Sequence, residues 1–279
     1  MMDVSLKKKL SHIMIYSILT ITTILILYPV IWIITGSLNP GDSLFSTRII
    51  PESLSLAHYE YLFKETDYLL WYKNTLKIAF WNMVFSTFLV VTAAYAFSRF
   101  RFPGRKQGLM TMLVLQMFPG FMGMIAIYIL LLQMNLLDNH WGLILVYAGG
   151  SIPFGAWLVK GYFDGLPKSL EEAAKIDGAS HVKIFYKIMM PLSKPVLVFI
   201  AVTNFIGPWM DFIFAQLVLR SSEKKTLAVG LFEMVTGRGN SEFTNFAAGA
   251  VLVAVPITIL FFIFQDHLTE GLKAGANKG

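Results

Sequence analysis

Six long apolar runs set the terms on which this chain can fold. They cover about 13–35, 75–97, 109–132, 141–159, 196–219 and 246–264, each roughly 19–24 residues, and a bilayer core takes about 20 helical residues. The fold they imply is all-α, a polytopic membrane protein with six transmembrane helices. Charged residues make up 14% of the chain and hydrophobic ones 56%, with a mean hydropathy of +0.62, whereas an ordinary soluble domain is about 25% charged. Lys7, Lys8 and Lys9 precede the first run. A signal peptide starts similarly, but its apolar core is only about 7–15 residues and ends at a small-residue cleavage site. The first run is longer and no such site follows, so it is expected to be an uncleaved helix.

The basic residues follow the runs. Lys7–Lys9, then Arg99, Arg101, Arg105 and Lys106, then Lys168, Lys175, Lys183, Lys187 and Lys194, and finally Lys273 and Lys278 lie on one side of a six-span topology; Arg48, Lys64, Lys73, Arg220, Lys224, Lys225 and Arg238 lie on the other. The richer side is the cytoplasmic one, which puts both termini inside. The net charge of +6 is thus spent on topology and forms no single basic face, so no nucleic-acid partner is expected. No cysteine is present, which excludes disulfides and thiol chemistry. There is no G-x-x-x-x-G-K-[ST] loop, no H-E-x-x-H and no G-x-S-x-G, so the chain itself is expected to bind no ATP and no metal and to have no catalytic residues.

Several runs carry interruptions. Pro119 should kink the third, since proline removes a backbone donor and clashes with the preceding turn. Gly149-Gly150-Ser151-Ile152-Pro153 should break or bend the fourth, and Pro256 the sixth. The fifth holds Asn204 and Asp211, the latter the one carboxylate inside a run. A mid-membrane carboxylate costs roughly 2.5–3.5 kcal/mol on insertion scales and should face protein or water. Asp211 therefore marks either a translocation path or gate, or a buried polar contact to a partner; Asn204 is a weaker candidate for the path, and helix–helix hydrogen bonding is its other reading.

The polar stretch Pro167–Pro195 is the longest charged segment. Ser169 has capping-box spacing to Glu172, and Glu171 and Glu172 suit the positive end of a helix dipole. Ala173, Ala174 and Ile176 give a small, smooth side, and Gly178 is placed to end the helix. A second short helical pattern runs through Val182, Ile184, Phe185, Ile188 and Met189, and Pro191 and Pro195 close it. The stretch suits a solvated connection or a docking surface for a partner.

Glu172-Ala173-Ala174, three residues, Gly178, nine residues, then Ile188-Met189-Met190-Pro191 resembles the E-A-A-x3-G-x9-I-x-L-P loop of the permeases of binding-protein-dependent ABC importers. Met190 in place of Leu is the one departure. The resemblance extends over most of the chain and is closest to the MalG-like maltose and maltodextrin branch of the carbohydrate permeases. Trp209-Met210-Asp211-Phe212 is similar to that family's W-N-E-F segment, and the Gly- and Ala-rich tail to the tail of maltose-type permeases. The resemblance implies an ABC importer permease fold in a bacterial cytoplasmic membrane. It also implies ATP used by a cytoplasmic ABC ATPase dimer, a second permease subunit, and an extracellular or periplasmic sugar-binding protein. It assigns ATPase coupling to Glu171, Glu172, Ala173, Ala174, Asp177, Gly178, Ile188 and Pro191. The outer connection Arg220–Phe243, with Gly237, Arg238, Gly239 and Asn240 at its tip, would be a flexible finger onto the binding protein. The expected organisation is a first helix and external loop over 1–74, a five-helix core over 75–265 containing the Glu-Ala-Ala loop, and a tail over 266–279. An ion-coupled secondary transporter is the rival, but such proteins set several charged groups at mid-membrane, and this chain offers only Asp211.

Overall fold

The computed structural model describes residues 4–41, 51, 53–236 and 242–276, with the side chains of 4–7 and 270–276 excepted. In order the helices are α1 (Val4–Ser37), α2 (Ala57–Lys64), α3 (Tyr68–Arg99), α4 (Arg105–Gln116), α5 (Gly120–Gln133), α6 (His140–Gly165), α7 (Lys168–Ile176), α8 (His181–Ile184), α9 (Met190–Leu192), α10 (Lys194–Met210), α11 (Ile213–Val218), α12 (Leu227–Thr236) and α13 (Phe243–Ala276), with a π-turn over Phe185–Met189 and a short 3₁₀ turn over Ser222–Lys224. Among the described residues there is no strand. Among the described residues four helices are each long and apolar enough to cross a membrane: α1 from Lys8, α3, α6 and α13 to Thr269. Two bent pairs, α4–α5 and His181–Leu192 with α10, bring the number to six if each pair is one span.

The chain divides into two compact units. The first joins residues 1–67 to 231–255. In it His58 is buried and bonds through Nδ1 to Asn245 Oδ1 at 2.7 Å and through Nε2 to the Asn39 carbonyl at 2.7 Å. Ser37 and Tyr59 hydroxyls meet at 2.7 Å, which ties α2 to the end of α1. None of the most apolar window of α1 is buried.

The second unit, 68–230 with 256–279, is built on α3 and α6. Gly155 lets them meet: a Cβ there would lie 2.8 Å from Val90 Cγ2. Two buried clusters fill the unit. One gathers Val90, Ala94, Val159 and Phe163 with Ile184, Met189 and Val196; the other gathers Ile78, Leu143 and Ile144 with Phe214, Val218 and Val229.

The structure corrects several sequence expectations. Pro119 does more than kink its run, since α4 and α5 meet at 102°. By contrast α6 runs unbroken through Gly149–Pro153. Pro153 takes a donor from the turn before it, but Gln116 Nε2 donates to the Gly150 carbonyl at 3.0 Å and Ser151 Oγ to the Ala148 carbonyl at 2.8 Å, which serves the weakened turn from side chains. Pro256 likewise lies inside an unbroken α13, which continues as helix through most of the supposed tail. The fifth run is not one helix: α10 ends at Met210, and the extended Asp211 leads into the six-residue α11. The outer connection after Arg220 is mostly structured, holding the 3₁₀ turn and the apolar α12. The expected finger tip, Gly237, Arg238, Gly239 and Asn240, lies outside the described residues.

Candidate functional site

The capping box expected at the head of the Glu-Ala-Ala loop does not form. Proline pushes the residue before it into extended backbone; Leu166 accordingly has ψ 138° and ends α6. Pro167 then stands as the cap of α7 with no side-chain bond, so Ser169 is already inside the first turn. Glu171 and Glu172, adjacent in sequence, part company at this point. Glu171 is buried; Glu172 is exposed and, among the described residues, forms no ion pair.

Arg99, the last residue of α3, accounts for the inward turn of Glu171. Its Nε donates to Glu171 Oε1 at 2.5 Å, and the two side chains keep only 8% and 7% of their exposure. Its Nη2 donates to the Phe163 carbonyl at 2.8 Å and Nη1 to Ser98 Oγ at 2.7 Å. Ser98 Oγ donates to Asp164 Oδ1 at 2.6 Å, and Lys160 Nζ to Asp164 Oδ2 at 2.5 Å. One guanidinium thus fixes the end of α3, the end of α6 and the start of α7. In sequence Arg99 is only one of the charges that set topology; its partner lies 72 residues away, and no local pattern reveals the pairing.

The far end of α7 is closed as expected. Gly178 sits at φ +75°. Gly178 N–H donates to the Lys175 carbonyl at 3.0 Å, and Ala179 N–H to the Ala174 carbonyl at 2.9 Å, the paired bonds of a Schellman ending. Ser180 then caps α8, accepting from Lys183 N–H at 3.3 Å. The π-turn lies just before Pro191, which has no N–H to give and would crowd the carbonyl four residues back. Met190 N–H reaches the Phe185 carbonyl instead.

The residues expected to couple to an ATPase fall into two groups. Glu172, Ala173, Asp177, Gly178 and Pro191 are exposed, together with Ile176 at 86% and Val182 at 66%. Ala174 and Ile188 pack against the buried cluster beneath, and Glu171 is held by Arg99. The loop therefore shows an outward face of mixed small, apolar and acidic groups on a tethered base.

A second region lies halfway along the spans. A cleft of ≈ 450 Å³ is lined by Asn82, Tyr147, Ser151, Thr203, Asn204 and Gly207 among others. Asn82 Nδ2 donates to the Asn204 carbonyl at 2.7 Å. Asp211 is not on the lining. It accepts from the Tyr147 hydroxyl and, at 3.1 Å, from Phe214 N–H, so it caps the turn into α11 and ties the break to α6. At the ends of α5 and α11, Asp138 accepts from Arg220 N–H at 2.9 Å, Ser221 N–H at 3.0 Å, the Ser221 hydroxyl and Lys224 Nζ at 3.2 Å. Burial raises this carboxyl, but those donors outweigh it and hold the group well below the usual carboxylate range.

A membrane-spanning helical unit with a rigidly based polar loop between spans is the architecture of an importer permease. Residues 89–274 match the family model described as binding-protein-dependent transport system inner membrane component, and the chain belongs to that family. It is similar to the galactooligosaccharides transport system permease protein GanQ of Bacillus subtilis, at 43% identity over 99% of both chains. It is 41% identical to the maltodextrin transport system permease protein MdxG of the same organism, over 100% of both, and 36% identical to the maltose/maltodextrin permease protein MalG of Escherichia coli, over 91% of both. Among solved structures, a bacterial ABC transporter for import of the acidic polysaccharide alginate matches with a TM-score of 0.82 and 27% identity, covering 93% of this chain and 97% of that one. The chain is a transport component of the membrane rather than an enzyme.

Proposed function

We propose that this chain is one permease subunit of an ATP-driven oligosaccharide importer, with maltodextrin as its cargo, and that the outward face of α7 is where an ATPase subunit docks. The observation that carries the docking role is the division between Glu171 and Glu172. One carboxylate is spent on anchoring the loop to α3 and α6, and its neighbour is presented free beside Ala173, Ile176 and Gly178. A short helix tethered at its base and capped at its tip moves as one body, which is what relaying ATPase closure to the spans requires. ATP is bound by the partner ATPase dimer, and this chain holds no cofactor. A second permease completes the path, with Asn204 on the midspan cleft and Asp211 holding the break beside it. An extracellular or periplasmic binding protein delivers sugar near Gly237–Asn240. Both termini lie in the cytoplasm, a reading supported by the distribution of Lys and Arg.

The cargo rests on likeness to the maltodextrin permeases. The 43% identity to GanQ favours a second cargo, galacto-oligosaccharide. Uptake of labelled maltotetraose and of labelled galacto-oligosaccharide, in a strain deleted for this chain and complemented with it, separates the two. In the assembled complex, Glu172→Gln should abolish substrate-stimulated ATP hydrolysis with the subunits still co-purifying. Normal stimulation in that variant would sink the docking role.

A further inference from the structure

The cytoplasmic side of the second unit has a polar groove of ≈ 380 Å³ between the turn after α3 and the side of α7, lined by Arg99, Arg101, Arg105, Lys168, Lys175 and His181 together with Ser98, Asp164, Glu171 and Glu172. Its charges do not balance. Glu171 is taken by Arg99, and Asp164 by Lys160, Ser98 and Arg99. Of the carboxylates that leaves Glu172. Among the described residues the side chains of Arg101, Lys168 and Lys175 form no ion pair or hydrogen bond, and the Arg105 side chain donates only to the Phe100 carbonyl at 3.1 Å. Four cations therefore face one carboxylate in a concave site. Such an arrangement attracts an anion, since like charges crowded together repel and a group of opposite sign relieves the repulsion.

The surroundings say which anion. About 20 residues of hydrocarbon core, counted along α3 from the exposed Lys77, end at Phe97. That brings Arg99–Phe102 to headgroup depth. Phe100 and Phe102 are each 42% exposed on either side of Arg101. Phe100 packs on Tyr95 and on the His181 ring that lines the groove, with centroids at 5.8 and 5.2 Å. Exposed rings alternating with an unpaired guanidinium suit a place where hydrocarbon and phosphate meet, and would be poorly solvated in open cytosol. Basic pockets between spans on the cytoplasmic side are the usual seat of anionic lipid headgroups.

We propose that this groove binds the headgroup of an anionic phospholipid, its phosphodiester held by Arg101, Arg105, Lys168 and Lys175. The lipid would lie against the Arg99–Glu171 base and stiffen the ground on which the loop moves. The proposal rests on the inward orientation given above, which cysteine labelling tests separately. The test uses the whole complex, reconstituted in nanodiscs of phosphatidylcholine with a fifth of phosphatidylglycerol, then released and examined by native mass spectrometry. The wild type should retain phosphatidylglycerol; the triple variant R101Q/K168Q/K175Q should lose it by roughly 100-fold, the effect of three basic contacts at an anionic surface. The charge-matched K106Q/K183Q/K187Q, outside the groove, should retain it. Excess inorganic phosphate should not displace the lipid. Displacement by phosphate would make the site one for soluble phosphate and overturn the lipid assignment. Equal retention in all three proteins would overturn the site. Loss of the ATPase from the groove variant with lipid retention unchanged would give the cations to an acidic surface of the ATPase, and would also overturn it.

Discussion

Arg99 and Glu171 carry opposite charges almost wholly out of water, and their value lies in being together. Removing one partner of a buried pair costs about 3–5 kcal/mol, whereas replacing both with apolar groups of similar size is often neutral. Glu171→Gln and Arg99→Met should each lower the thermal midpoint of the purified complex sharply, and R99M/E171M should recover most of the loss. Glu172→Gln, on the surface, should stay within about 0.5 kcal/mol. Sequence reasoning ranks these two glutamates the other way, because spacing from Ser169 favours Glu172 as the structural residue. The ranking fails because Pro167 takes the cap position and because Arg99 is remote in sequence. Asp138 gives a separate residue-scale test. A carboxyl depressed in the fold adds stability that is complete above its unfolded value of about 3.9 and is lost as pH falls through the folded value. Protection of the 220–224 amides from hydrogen exchange, corrected for intrinsic rates, should therefore be constant between about pH 7 and 5 and fall below about pH 4. Asp138→Asn should remove the acid step. Protection that already declines by pH 5 would mean another group holds this turn.

At the scale of elements, α7 is the unit proposed to move, and its tip was legible: a glycine after a short amphipathic helix predicts a left-handed residue, and Gly178 has φ +75°. Nothing lies within 4 Å of a Cβ built there, so a substitution meets backbone strain and no clash. Alanine should cost about 1–2 kcal/mol, asparagine less because it visits this conformation more readily, and valine more. Substrate-stimulated ATP hydrolysis should fall in the order Gly, Asn, Ala, Val, while basal hydrolysis holds. An order set by side-chain volume, with Asn below Ala, would point to docking clash. Prolines were less legible than glycines. Pro119 opens a sharp corner, whereas Pro153 and Pro256 leave their helices straight enough to continue. What distinguishes Pro153 is help from outside its own helix, the Gln116 amide on Gly150, and local sequence does not show which carbonyls will find such donors.

For the whole molecule, a helical membrane-spanning fold was legible from hydropathy, because the bilayer imposes length and polarity on every segment separately; the side of each connection is an expectation from charge. Single cysteines, in a chain that has none, should label from outside at His58, Asn139 and Asn240 and from inside at Lys106 and Lys175; one reversed position would remove a span. The packing of spans was not legible, because its polar contacts join distant segments, and those of α3 reach 122–152 residues ahead in the chain. Asn74 Nδ2 reaches the carbonyls of Glu223 and Lys225, 149 and 151 residues further on; Thr75 Oγ1 accepts from Leu227 N–H, 152 on; and Asn82 binds the Asn204 carbonyl, 122 on. At a synthesis rate of 5–20 residues per second, α3 waits in the membrane for roughly 6–30 s before these partners exist. During that interval the Asn82 amide, inside the hydrocarbon core, is without its Asn204 partner, a cost that favours holding the nascent helix in a wet, protein-lined site. Ribosome-bound chains truncated before Arg220 should therefore cross-link from Asn74 and Asn82 to the insertion machinery, and chains long enough to expose Leu227 should release it. If they do, biogenesis of this subunit is timed by the arrival of its own distant backbone.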